Sequence, residues 1–313
     1  MKARSILMGG LYADLIALKI VISVIGVTGN VILIMSILKS AHVKTFEILL
    51  LALAAANLEE IVIGNVYDAL RLSDRIGVWS CRTLKFLTMF GTTGSILFTV
   101  LISIYRYQKL RDVHTHVSLH IFMDNIRNAL GITAFCATLA TILSMPTLFI
   151  SLNRDEANST SLDCPEDFFQ CTQSKCLTQN LVYKYSFLLV CNLLPLLIVT
   201  LTSIMILRIL IVQQKAVKAL QEPSVAVTQQ QHQHRHWHGV SGFHRSTLAI
   251  LAAMALFQVD WIVYLILHLV YSNPYSFPAW SEVEFLVTAF YTALSPYVYG
   301  LGNDLFNIKR CIS

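Results

Sequence analysis

The chain has 313 residues, of which 55% are hydrophobic and only 13% charged, whereas a soluble domain carries about 25% charge. That leaves too little polar surface to cover a water-soluble globule of this length, so lipid is the expected solvent. The net charge of +5, from 23 basic and 18 acidic residues, is too small an excess to suggest nucleic-acid binding and fits the positive-inside bias of membrane-protein loops.

A bilayer core takes about 20 apolar residues per helix. Seven segments meet that need, near 15–38, 46–70, 82–106, 128–151, 183–212, 246–271 and 280–302. The first is too long for the apolar core of a cleavable signal and reads as a span. The arm before it, 1–14, is too short for a folded ectodomain. An amphipathic stretch at 303–310 is expected along the membrane surface. With no internal repeat and no second domain, 1–313 reads as one all-α membrane domain, a seven-helix bundle with a short C-terminal surface helix.

Orientation has two witnesses. Lys and Arg are more frequent in the loops that face inward when the N-terminus is outside, and acidic residues (Asp155, Glu156, Asp163, Glu166, Asp167) crowd the loop between spans four and five. The same loop carries the sequon Asn158-Ser159-Thr160, which needs an extracellular position to be glycosylated. A multi-pass plasma-membrane protein with an extracellular N-terminus is expected. Cys164, Cys171 and Cys176 lie in that loop and Cys81 at the outer mouth of span three. Four thiols allow three connectivities. Cys81–Cys176 is favoured, because Cys176 lies nearest span five and would tether the loop across the helix mouth, leaving Cys164 and Cys171 as a second pair. Cys136 and Cys191 fall within spans and read as packing residues.

Sparse features fall in register along the chain. Span one carries Gly26-Val27-Thr28-Gly29-Asn30, span two Leu53-Ala54-Ala55-Ala56-Asn57-Leu58, span three ends in Ile104-Tyr105-Arg106-Tyr107-Gln108-Lys109-Leu110, span five carries Asn192-Leu193-Leu194-Pro195, and span seven ends in Ser295-Pro296-Tyr297-Val298-Tyr299. Cys81 and Arg106 are 25 residues apart, about 37 Å of helix, so they sit at opposite membrane faces. In order and placement these motifs resemble the rhodopsin-like (class A) G-protein-coupled receptors. Three departures stand out: Tyr105 precedes the arginine where an acid is usual, Asn57 replaces an aspartate, and no proline follows Trp261. The tract 103–110 resembles that of vomeronasal type-1 receptors and of the fish olfactory receptors related to class A, the ora receptors.

That resemblance implies a chemosensory receptor whose partners are a small odorant or pheromone, a heterotrimeric G protein and membrane lipid, with no cofactor, no metal and no catalytic residue. It maps the ligand pocket onto Thr88, Met89, Thr92, Phe187, Cys191, Trp261, Tyr264, His268 and Phe285. Thr88 stands where amine receptors keep an aspartate, and Arg71 and Lys85 lie near the outer rim, so an anionic or neutral ligand is expected rather than an amine. Coupling and activation map onto Arg106, Asn30, Asn57, Pro296 and Tyr299; the plain alternative for Arg106 is a snorkelling basic side chain. An acid introduced at Tyr105 is expected to hold Arg106 and lower basal signalling, since His244 and Arg245 across from it would repel it.

Other residues invite other readings. Glu60, one turn from Asn57 on the same helix face, could supply the carboxylate that a sodium ion wants. Glu59 points elsewhere. Asp260 is costly inside a membrane and functional by default; otherwise it is a protonated acid bonded to a neighbouring backbone carbonyl. The histidines of 232–238 fall in a flexible inner loop, where metal binding lacks a fixed geometry. Cys311, beside Lys309 and Arg310, suits palmitoylation. A class A receptor for a non-sensory ligand, an intramembrane hydrolase and a transporter are the alternatives. Tyr67-Asp68 has no second carboxylate at matching depth to share a proton, and no half-helix breaks near the midplane as transporters need.

Overall fold

A computed structural model describes residues 2–40, 43–72, 77–115, 125–149, 169, 178–220, 230–270, 280–302 and 305. The helices are α1 (Lys2–Leu38), α2 (Thr45–Leu72), α3 (Val78–Thr115), α4 (Ile126–Ser144), the short α5 (Pro146–Phe149), α6 (Thr178–Phe187), α7 (Leu194–Leu220), α8 (Gln230–Val270) and α9 (Trp280–Gly302), with a π-helical turn Leu188–Leu193 joining α6 to α7. Taken with their continuations, these make the seven expected spans. The packing pairs α2 with α3, α9 with α1 and α8, and α3 with α4 and α7.

Three features differ from the sequence reading. The expected arm 1–14 is not separate, because α1 runs back to Lys2. The histidine-bearing stretch at 232–238 is not loop but the first turns of α8; its Gln and His residues keep backbone hydrogen bonding as readily as a span does. In span five the helix widens to a π turn before Pro195. Pro195 offers no N–H to the carbonyl of Cys191 and its ring would clash there, and a widened turn relieves both. The surface stretch 303–310, apart from Leu305, lies outside the described residues, as do Asn158, Cys164, Cys171, Cys176 and Cys311.

The distribution of polarity is that of a membrane protein. Leu18, Ile20, Val24, Ile142, Phe149, Leu201, Leu248 and Leu269 are exposed, while Asn30, Asn57, Ser95, Thr99, Ser103 and Ser295 are fully buried between helices. Lipid already satisfies the apolar face, so helices associate through close packing and polar contacts inside the bundle. Leu33, Leu49, Leu53, Ile96, Val199, Ile206, Ile250 and Phe257 fill the space around them. Among the described residues, five helical stretches have the length and apolarity to cross a membrane. The bundle's other two spans, α2 and α9, carry Glu47, Glu59, Glu60 and Asp68, and Glu282 and Glu284. Of these acids, Glu60, Asp68 and Glu284 face the cavity described next.

Candidate functional site

A cavity opens among α2, α3, α6, α8 and α9, on the Cys81 side of the bundle. Glu60, Tyr67, Asp68, Thr88, Met89, Thr92, Phe187, Tyr264, Glu284 and Phe285 line it. About 50 Å³ of it is open to the centres of water molecules, against roughly 10–15 Å³ needed to hold one, so the space suits a small ligand.

Six of the nine residues assigned to the pocket from sequence therefore meet there: Thr88, Met89, Thr92, Phe187, Tyr264 and Phe285. The other three stand outside its wall. Trp261 is buried beneath Tyr264, ring centroids 5.1 Å apart. Cys191 carries a free thiol and faces a separate apolar cavity with Thr93, Leu97, Leu139, Leu143 and Pro195; the π turn rotates it there. His268 stands behind the wall with its Nε2 3.2 Å from Glu284 Oε1 and its Nδ1 3.0 Å from the Tyr264 carbonyl. A carbonyl can only accept, so the tautomer that bonds Tyr264 carries its proton on Nδ1.

Sequence reasoning does not assign Lys19, Asp68 or Glu284 to the site. Lys19 of α1 forms an ion pair with Asp68 and lies over the Phe285 ring, 4.2 Å from its centroid. A signal is present: each is an ionisable residue within a span, and such residues are functional candidates by default. What the chain order hides is their pairing, because 49 residues separate Lys19 from Asp68. Lys85, expected near the outer rim, is instead fully buried, and the cavity wall does not include it.

The acids of α2 divide between two environments. Thr92 lies beside the Glu60 carboxyl, and Glu60 faces the cavity rather than the Asn57 cluster, which takes it away from the sodium role considered above. Glu59 lies against α3, where a Cβ on Gly91 would collide with its carboxylate; glycine at 91 makes room for it.

Below the cavity a polar cluster crosses the bundle. Asn57 Nδ2 donates to Ser295 Oγ at 3.1 Å and to Asn30 Oδ1 at 3.4 Å, and its Oδ1 accepts from Ser95 Oγ at 2.7 Å. Asn30 Nδ2 donates to the carbonyls of Gly26 (2.8 Å) and Thr292 (3.0 Å). The sequence-assigned residues Asn30, Asn57 and Pro296 thus share one neighbourhood. Asp260 accepts the backbone N–H of Tyr291 on α9 at 2.6 Å, where the alternative reading of this acid had a bond to a neighbouring carbonyl.

A continuous line of rings leads on toward Arg106. Trp261 packs on Phe257, and Phe257 meets Tyr291 edge-on at 5.4 Å. The Tyr291 hydroxyl lies 2.7 Å from Thr99 Oγ1, and Tyr299 is within electrostatic reach of both Tyr291 and Arg106. The Arg106 guanidinium sits 3.6 Å over the centroid of the Phe46 ring, and Tyr105 stacks on the same ring. Arg245, expected to repel Arg106, instead donates to the Leu301 carbonyl at 2.9 Å, where it caps the last turn of α9. Cys81 is disulfide-bonded; its partner lies outside the described residues, so the choice of Cys176 belongs to the sequence reading.

The model of the family described as 7 transmembrane receptor (rhodopsin family) matches residues 29–299 of this chain. No curated protein matches it.

Proposed function

This chain belongs to the rhodopsin family of seven-transmembrane receptors, and from that premise we propose that it is a chemosensory receptor that binds a small odorant or pheromone in the cavity and activates a heterotrimeric G protein through the Arg106 end. It is a multi-pass membrane receptor and not an enzyme. The observation that carries the proposal is the unbroken packing from a ligand-sized cavity, through Tyr264, Trp261, Phe257, Tyr291 and Tyr299, to the neighbourhood of Arg106. A ligand that moves Tyr264 changes the packing of α8 on α9, and that shift alters what Arg106 can touch. The energetic link is a differential affinity of the ligand for two packings of the bundle.

The chemosensory part of the reading rests on the tract Ser103-Ile104-Tyr105-Arg106-Tyr107-Gln108-Lys109-Leu110 and its resemblance to vomeronasal type-1 and ora receptors. With it go a plasma-membrane location, an extracellular N-terminus, glycosylation at Asn158 and a Cys81–Cys176 bridge. The test is nucleotide exchange on purified G protein by the detergent-solubilised chain, together with a calcium screen in cells against small acids, amines and steroids. Ligand-dependent exchange that Arg106→Ala abolishes is expected. Exchange that no member of the panel changes, at verified surface expression, counts against it.

A further inference from the structure

We propose that the cavity is built for a small cation, a primary amine or guanidinium group that donates to the Glu60 carboxylate while an apolar or aromatic body packs on Met89, Phe187 and Tyr264. This rests on the receptor reading above and names the ligand class of that same cavity.

Three carboxyl groups line the wall, those of Glu60, Asp68 and Glu284. Two are matched by groups of the protein itself, Asp68 by Lys19 and Glu284 by His268. Glu60 is 95% buried, and no basic side chain among the described residues pairs with it. Its Oε2 is fully buried with no hydrogen-bond partner among the described residues. The neighbouring hydroxyl of Thr92 donates to the carbonyl of Thr88 at 3.0 Å. A buried carboxyl oxygen with no donor is an unfilled demand, and a charge-assisted N⁺–H is the strongest way to fill it.

The threonine hydroxyls of the wall are already spent on backbone carbonyls. Thr88 donates to the Leu84 carbonyl at 3.0 Å and Thr288 to the Phe285 carbonyl at 3.2 Å. Lys19 is held by Asp68. An anion entering here would meet the Glu60 carboxyl and find these donors engaged. A cation would meet an acceptor in a lining otherwise rich in apolar and aromatic residues. The sequence points the other way because the acid is sought there at Thr88 of α3. The anchoring acid stands on α2, across the same cavity.

The test uses the full chain in detergent and three matched probes: 2-phenylethylamine, 2-phenylethanol and phenylacetate. Only the amine should raise the midpoint of thermal unfolding in a saturable way. Glu60→Gln, which keeps shape and removes the charge, should weaken amine binding at least about tenfold, and Glu60→Asp should keep part of it. Equal binding by the alcohol or the acid, no shift with the amine, or an unchanged amine affinity in Glu60→Gln would each overturn the proposal. The comparison of probes on the unmodified chain decides the matter even where Glu60→Gln does not fold. Because the readout is binding, the two readings separate. Amine binding without nucleotide exchange leaves this site and removes the receptor function, whereas exchange driven by phenylacetate leaves the receptor and removes the cation.

Discussion

Asn30 donates its side-chain amide to the carbonyl of Thr292, 262 residues away, and that carbonyl is the one that Pro296, four residues further along α9, leaves without its helical partner. Proline has no N–H to return to residue i−4. In lipid an orphaned carbonyl must find a donor within the protein, and Asn30 supplies it. Asn30→Ala should therefore destabilise the bundle by about 1–3 kcal/mol, read as a lower unfolding midpoint in detergent. In a Pro296→Ala background, where the substituted residue regains an N–H that can donate to Thr292, the cost of losing Asn30 should shrink. Full additivity of the two substitutions would show that Asn30 does not serve the proline.

Asp260 ties α8 to α9 by accepting the Tyr291 N–H. Asparagine at 260 retains an acceptor of the same shape and alanine retains none. Asp260→Asn should stay within about 1 kcal/mol of the parent, and Asp260→Ala should lose about 1–3 kcal/mol, the cost of leaving a buried N–H without its acceptor. Equal losses in thermal unfolding would mean that charge, and not the acceptor, matters at this position.

Phe46 lies under Arg106 and against Tyr105, so a ring face holds the arginine. A desolvated cation–π contact is worth about 0.5–2 kcal/mol. Phe46→Leu keeps the apolar bulk and removes the ring face, and should raise basal nucleotide exchange about two- to tenfold. The expectation that Tyr105→Asp lowers basal signalling is complicated by the same contact, since the substitution removes a stacked ring while it adds a charge. Unchanged basal exchange in Phe46→Leu would sink the idea that this ring restrains Arg106.

Gly302 ends α9 where α8 passes closest. A Cβ there would collide with the Cβ of Ala249 and approach the Arg245 carbonyl at 3.8 Å. Overpacking of this kind costs about 1–3 kcal/mol. Gly302→Ala should lower the unfolding midpoint, and adding Ala249→Gly should restore most of it. A double variant no more stable than Gly302→Ala alone would locate the strain elsewhere.

The amino-acid sequence alone carried the seven-span architecture, because a span is a local property: about 20 apolar residues in a row are legible without knowing what they touch. It also carried Asn30, Asn57, Arg106 and Pro296, whose order and spacing mark the family, and most of the cavity wall on α3, α8 and α9. What it could not carry were the pairings, Lys19 with Asp68, His268 with Glu284, Asp260 with the Tyr291 N–H, and Arg245 with the end of α9. Each joins residues from separate helices, and a one-dimensional pattern says which face of a helix is polar but not which neighbour it meets. Cys191 shows the same limit within one helix: a single widened turn ahead of Pro195 changes the face that every residue of it presents. Helical spacing alone puts Glu60 beside Asn57 and suggests a sodium ligand for the same reason. Only the packing of α2 against α3 and α9 turned Glu60 into the cavity, because which way a buried carboxyl points is settled by the helices around it.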